Sequence, residues 1–300
     1  MTNEHLLFET GTNTSEKLIV IGGMHGNEHS GVEAMQRVIG HLKHKDNSVK
    51  GKVYFILGNL EALRRNERFI DIDLNRIWSE KFLNNGNSPY DIKELKEIHR
   101  LIEDICQGRY DNCTLLDLHT FSAESGIFCI PAENEKSEAL AQYYGVPFIE
   151  KLASALPETA LNYYGEKGMR SVVFEGGRHN TVEATDNLER AIWITLQYLN
   201  FIDRKDFPFI DRMKKELEEI SRPFPHRLEM VYHHRLKDWH HYKMNEGYYN
   251  FKKIREGEDV ARQNDRIVRS PYGGFMLMPL YQKKGSDGFF IVQERKTSKN

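Results

Sequence analysis

Three features of this sequence predict an α/β fold with a mixed sheet and a smaller C-terminal β domain. Short apolar runs rich in β-branched residues recur and stop on glycine or a polar side chain, as at residues 18–22, 51–59, 114–119 and 171–175. Between them lie segments with apolar residues three and four apart, such as Ile92, Leu95, Ile98, Leu101, Ile102 and Ile105. From His226 onward the texture changes to short alternating segments punctuated by Gly247, Gly257, Gly273-Gly274, Gly285 and Gly288.

Residues 5–10 and 17–22 read as two strands, expected to pair as a hairpin around Gly11-Thr12-Asn13-Thr14. The second ends on Gly22-Gly23, Gly26 follows, and residues 32–39 have helical spacing, so the unit is strand, glycine turn, helix. Ligands in open α/β sheets gather at the carboxyl ends of strands, where His25 and Glu28 project. Imidazole nitrogen and carboxylate oxygen suit a borderline cation such as zinc, whose catalytic sites take three protein ligands and leave one position open. A bare His-x-x-Glu equally fits a turn histidine followed by a carboxylate in the first turn of a helix. A third ligand is therefore needed, and about ninety residues on a second apolar run ends on His119. Asp117 lies on the same side of that strand, fit either to orient a ligand or to serve strand-end hydrogen bonding.

Taken together, His25-x-x-Glu28, Arg68-Phe69-Ile70-Asp71-Ile72-Asp73-Leu74-Asn75-Arg76, Asp117-Leu118-His119 and Phe174-Glu175-Gly176-Gly177 resemble the aspartoacylase/succinylglutamate desuccinylase family. That family is a branch of the zinc carboxypeptidase-like hydrolases, so the resemblance implies a zinc-carboxypeptidase-like mixed sheet flanked by helices. It implies one Zn2+ per chain held by His25, Glu28 and His119, and hydrolysis of the linear amide in a small N-acyl amino acid. Glu175 is implied as the general base that moves a proton from water to the leaving amine, a role worth about a hundred- to ten-thousandfold in rate. Arg68 is implied to polarise the scissile carbonyl, and Asn75 and Arg76 to hold the substrate α-carboxylate. An arginine fork suits that task because it gives a carboxylate two parallel charge-assisted bonds.

One departure bears on substrate. In aspartoacylases proper a proline-glutamine pair follows shortly after the glutamate, whereas here Gly176-Gly177-Arg178-His179 follow. The acyl group is thereby left open. An acidic acyl group needs a further cation, for which Arg178, Arg170 and Lys167 are candidates, with Tyr163 or Tyr164 as donors; all five also fit exposed positions.

The remaining elements are read as scaffold. Residues 51–59 form a strand, and Arg64 and Arg65 a solvated basic surface. Asp71 and Asp73 read as structural acceptors. A helix spans 89–107, started by Ser88-Pro89-Tyr90-Asp91, and His99 on it reads as surface. A strand at 126–131 and a helix at 137–144 follow, with Thr120, Ser122 and Ser125 near the metal. A helix at 187–198 closes a catalytic domain of residues 1–202. Residues 203–225, charged and broken by three prolines, read as a junction, and 226–300 as the small β domain, which by resemblance narrows access to the metal. His226, His233, His234, His240 and His241 read as exposed or interfacial, because adjacent strand residues face opposite ways. Tyr248 and Tyr249 are candidates to reach the pocket.

A formal net charge of −2 gives no basic excess for nucleic acid, and no apolar run approaches a membrane span. The N-terminal residues lack a targeting pattern, so a cytoplasmic protein is expected, with a homo-oligomer left open. Cys106, Cys113 and Cys129 lack metal or redox spacing and read as buried free thiols. A metallocarboxypeptidase shares the same ligands and carboxylate clamp. A small-molecule binding protein without catalysis is the reading from another class, and intact Glu175 and Arg68 argue against it.

Overall fold

The computed structural model describes residues 3–12, 14–44, 48–86 and 89–295. Met1, Thr2, Asn13 and Ser88, which figure in the reading above, lie outside the described residues, as do residues 296–300 of the C-terminal region. The first strands are β1 (Leu6–Thr10), β2 (Lys17–Gly22), β3 (Lys52–Leu57) and β4 (Cys113–Phe121). They are followed by β5 (Phe128–Pro131), β6 (Phe148–Glu150) and β7 (Arg170–Arg178). The C-terminal region supplies β8 (Arg227–Arg235), β9 (Tyr242–Met244), β10 (Lys253–Ile254), β11 (Asp259–Gln263), β12 (Arg266–Arg269), β13 (Gly274–Leu277) and β14 (Asp287–Glu294).

Among the described residues these make one eleven-stranded mixed sheet, in the order β1-β3-β2-β4-β7-β5-β6-β8-β14-β13-β10, and a three-stranded antiparallel sheet, β12-β11-β9. The fold is the expected mixed α/β sheet flanked by helices. β8 bonds to β6, so the strands after residue 226 continue the sheet that begins at β1.

At its centre β3, β2, β4 and β7 run parallel. β4 is buried at all nine positions, Thr114, Asp117, His119 and Thr120 included, so its polar side chains are enclosed along with its apolar ones. Alternate side chains serve opposite faces. Leu18, Val20, Leu116 and Leu118 pack with Met35, Val38, Leu188 and Ile192 from the helices His29–Lys43 and Val182–Tyr198. Ile19, Ile21 and Leu115 pack with Leu95, Ile98 and Ile102 of the helix Tyr90–Cys106. The three cysteines are free and buried. In the junction, the helix Ile210–Ser221 buries Ile210 and Leu217 against the first of these cores.

The expected hairpin of the first two strands does not form. β1 pairs antiparallel with β3, and both edges of β2 are occupied by β3 and β4. Burial explains this: β2 is buried at five of six positions and belongs in the centre, whereas half-buried β1 fits an edge.

The turn after β2 is held by close backbone approach. Gly58 and Asn59 donate backbone N–H bonds to the carbonyls of Gly22 and Gly23, at 2.9 Å each, and Gly26 N–H bonds to the Arg68 carbonyl at 3.2 Å. A Cβ on Gly26 would lie 2.0 Å from the Ala62 carbonyl carbon, so only glycine fits between this turn and the helix Leu60–Arg65. Gly26→Ala is expected to lower unfolding free energy by about 2 kcal/mol or more, because backbone must shift on both sides. Urea denaturation checks this, and an unchanged midpoint would contradict the packing described.

Candidate metal centre

β2, β4 and β7 are adjacent and parallel, so their carboxyl ends deliver His25 and Glu28, His119, and Glu175 to one place. His119 and Glu175 are register partners. Glu28 occupies the cap position of the helix His29–Lys43, yet its side chain makes no cap bond. Asn180 Oδ1 accepts from the His29 N–H at 3.1 Å instead, which leaves the Glu28 carboxylate to turn inward. There it accepts the Thr120 N–H at 2.8 Å, lies 2.8 Å from His25 Nδ1 and lies 3.2 Å from His119 Nδ1. The alternative of a dipole-favoured helix carboxylate is thereby replaced.

Each imidazole is gripped from behind. His25 Nε2 lies 3.0 Å from Asp73 Oδ1, and His119 Nε2 lies 3.0 Å from Asp117 Oδ2. An Nε2–H given to each aspartate leaves each Nδ1 with a lone pair aimed at the Glu28 carboxylate. Three buried donor atoms from His25, Glu28 and His119 lie within 4.8 Å of one another. Acceptors converging in this way require protons or a cation between them. Two imidazoles and one carboxylate are a donor set that fits Zn2+ with a position to spare.

The electrostatics follow from the same contacts. Burial would raise the Glu28 carboxyl, but His25 and His119 hold it well below the usual carboxylate range. Burial would lower the His119 imidazole, but Asp117 and Glu28 hold it well above its ordinary value. Glu175, buried first of all and also near Glu28, is pushed up to about 8, and its Oε2 has no hydrogen-bond partner.

The arginine-rich segment divides by role. Arg64 and Arg65 are exposed and pair with Glu61, as a solvated surface would. Arg68 reaches the site, bonding Asp73 Oδ2 through Nε at 3.1 Å and Nη2 at 3.0 Å, with Nη1 3.6 Å from Glu28. Asn75 Oδ1 accepts the Ala160 N–H at 3.1 Å, and its Nδ2 lies 3.3 Å from His119 Nε2. Arg76 Nη1 bonds the Asn75 carbonyl at 2.7 Å, and its Nη2 lies 2.5 Å from Asp287 Oδ2.

All seven site residues named from the sequence line one cleft of about 820 Å³, counting its open mouth. Thr120 and Ser122 join them, and Ser125 does not. One wall is apolar, formed by Phe121, Ile130, Leu156, Leu161, Val173 and Phe290. The roof is the segment 278–287. Tyr281 N–H bonds Ser122 Oγ, Gln282 accepts from Asn27, and Lys284 bonds Glu67.

The cations considered for a second pocket lie elsewhere. Arg178 pairs with Glu124 at the surface, Arg170 bonds Thr114 at the far end of β7, and Lys167 lies over the rings of Tyr110 and Tyr163. Tyr163 bonds Glu80, and buried Tyr164 lies against His99. Tyr248 and Tyr249 do not reach the cleft: Tyr248 bonds Glu258 and Tyr249 is exposed, because their turn is tied down by Tyr281.

Several site groups escaped sequence reading. Asp73 was read as a structural acceptor and proves to hold His25 and Arg68 together. Asp91 accepts the N–H groups of Ile70, Asp71 and Ile72 and so shapes the segment that carries Arg68, Asn75 and Arg76. Asp287 comes from a distant strand with no local spacing to signal it, and His233, expected to be exposed or interfacial, is instead largely buried between Asp287 and the Phe290 ring.

Comparison with known proteins identifies the family and the fold. The sequence profile of the Succinylglutamate desuccinylase/Aspartoacylase catalytic domain matches residues 14–200, and the chain belongs to that family. A succinylglutamate desuccinylase of Pseudomonas paraeruginosa is 33% identical over 104 residues, which span 34% of this chain and 30% of that protein. An N-acyl-aromatic-L-amino acid amidohydrolase (carboxylate-forming) of Xenopus laevis is 23% identical over 298 residues, covering 93% of this chain and 94% of the relative. The solved succinylglutamate desuccinylase of Vibrio parahaemolyticus shares the fold with a TM-score of 0.67 at 17% identity, covering 96% of this chain and 86% of that one. No helix among the described residues is long and apolar enough to cross a membrane.

A cation at this site must displace the proton that Asp117 and Glu28 hold on His119. Metal affinity is therefore expected to rise with pH, by about tenfold per unit for each proton displaced. Competition with a chromophoric chelator across about pH 6 to 8 measures this, and a flat profile would contradict the convergence of Nδ1 atoms on Glu28.

Proposed function

We propose that this protein is a zinc-dependent amidohydrolase that cleaves the amide bond of N-acyl amino acids bearing apolar groups. The observation that carries the reading is the unpartnered Glu175 Oε2 buried beside the His25, Glu28 and His119 cluster. A structural glutamate at a strand end would have a partner, whereas a base has its oxygen free for a proton.

Zn2+ held by those three side chains supplies Lewis acidity, which acidifies water and polarises a carbonyl. Glu175 Oε2 takes the proton from the attacking water and passes it to the leaving nitrogen. The Arg68 guanidinium, fixed by two bonds to Asp73, offers a preorganised positive charge to the developing oxyanion. Asn75 and Arg76 face the same cleft and receive the amino-acid carboxylate.

The apolar wall supports the choice of substrate class. A succinyl or aspartyl group needs a cation beyond Arg68 and Arg76, which serve the oxyanion and the amino-acid carboxylate, and no other lysine or arginine among the described residues lines the cleft. An aromatic or aliphatic group finds Phe121, Leu156, Val173 and Phe290. The name of the Xenopus laevis relative, which matches along nearly its whole length, points the same way. The roof over the cleft disfavours polypeptide substrates.

The test is a panel of N-acyl amino acids with zinc-loaded protein. N-acetyl-phenylalanine or N-acetyl-leucine is expected to exceed N-succinyl-glutamate in kcat/KM by about tenfold or more, the scale of a matched apolar pocket. Glu175→Gln is expected to keep its metal and lose about a hundredfold or more in kcat. Undiminished turnover would remove Glu175 from the chemistry, and preference for the succinyl substrate would overturn the apolar assignment.

A further inference from the structure

Arg76, the residue best suited to a substrate carboxylate, already carries one. Its Nη2 lies 2.5 Å from Asp287 Oδ2, its Nη1 is spent on the Asn75 carbonyl, and its Nε is buried without a partner. Asp287 is itself pinned. Its other oxygen lies 2.8 Å from His233 Nε2, and the His233 ring stacks on Phe290 at 4.3 Å. Asp287 opens β14, and the roof segment before it is anchored to Asn27, Ser122 and Glu67, so it is not a loose side chain that fell into an empty cleft. Burial would raise its carboxyl, but Arg76 and His233 hold it below the usual carboxylate range, so it is an anion.

We propose that Asp287 is a specificity-determining residue, a resident counter-ion on Arg76 that a substrate carboxylate must replace before it can use the guanidinium. The inference rests on the amidohydrolase reading and on Arg76 as the carboxylate subsite. Its physical basis is simple. A second carboxylate brought to Arg76 meets Asp287 at contact distance, and like charges there repel. Exchange leaves Asp287 with His233 as its holder. The net gain from binding a carboxylate is therefore small, and the cleft discriminates weakly between an N-acyl amino acid and its neutral α-amide. An arginine without a resident anion would favour the acid strongly.

The test compares N-acetyl-phenylalanine with N-acetyl-phenylalaninamide on zinc-loaded protein. In the wild type the two are expected to lie within about tenfold in kcat/KM, the worth of a single weakened charged contact. Asp287→Asn removes the charge at equal size, and the acid-to-amide ratio is expected to rise by about tenfold, carried in KM rather than kcat. A ratio that stays level or falls would overturn the proposal, since Asp287 would then be a structural or orienting partner of Arg76. The wild-type pair keeps the question open to refutation if the variant fails to fold: an acid preferred by about a thousandfold or more means Arg76 is fully available. Calorimetric binding of the same two compounds gives the ratio without turnover. Binding with a shifted ratio but no hydrolysis would defeat only the amidohydrolase reading, and binding of neither compound would defeat both.

Discussion

The arrangement depends on a carboxylate that is 2% exposed and ionised, that of Glu28. Burying such a charge costs several kcal/mol unless bonds and opposite charges offset it. Thr120 N–H, His25 and His119 supply that offset, His25 from the turn after β2 and the other two from β4. β2 and β4 must therefore lie side by side, parallel, with their carboxyl ends level. Glu28 makes no cap bond to the helix it precedes, where Asn180 Oδ1 accepts the His29 N–H. A site of this kind cannot be moved along the sheet without losing one of its partners.

Around this centre, charges alternate outward. Asp73 and Asp117 stand behind the two imidazoles, Asp73 also fixes Arg68 at the cleft beside Glu28, and Asp91 holds the backbone that carries Arg68 to Arg76. Each shell fixes the orientation of the one inside it, so ring nitrogens and guanidinium face the cleft with little freedom left to lose on binding. The C-terminal strands complete the enclosure. They contribute the roof, part of the apolar wall and the only acidic group paired to Arg76 among the described residues.

Much of this was legible in the sequence. Apolar runs that end on His119 and Glu175, or on the glycines just before His25, marked central strands and the candidate site at their carboxyl ends, because a strand buried on both faces leaves a plain signature. The order of four motifs marked the family. Strand pairing was less legible: local proximity suggested that β1 would fold back on β2, whereas burial of β2 on both faces reserved its edges for β3 and β4. Asp73 is the structural acceptor its turn position suggests, but a side chain that caps its own turn also reaches a histidine forty-eight residues away, which no local spacing signals. The meeting of Asp287 with Arg76 on one side and His233 on the other was illegible, because it depends on the path of the whole C-terminal region rather than on any spacing. The missing cation for an acidic acyl group was sought among Arg178, Arg170 and Lys167; all three are turned away by partners that sequence alone does not pair.

The central claim is that hydrolysis depends on a single cation held by His25, Glu28 and His119. The most direct measurement is turnover of an N-acyl amino acid by protein stripped with a chelator and then titrated with Zn2+, with metal content measured in parallel. Activity is expected to be absent in the stripped protein and to rise linearly to a plateau at one equivalent per chain, with His119→Ala neither retaining the metal nor recovering turnover. Full turnover by metal-free protein, or recovery in the His119→Ala variant, would contradict the account.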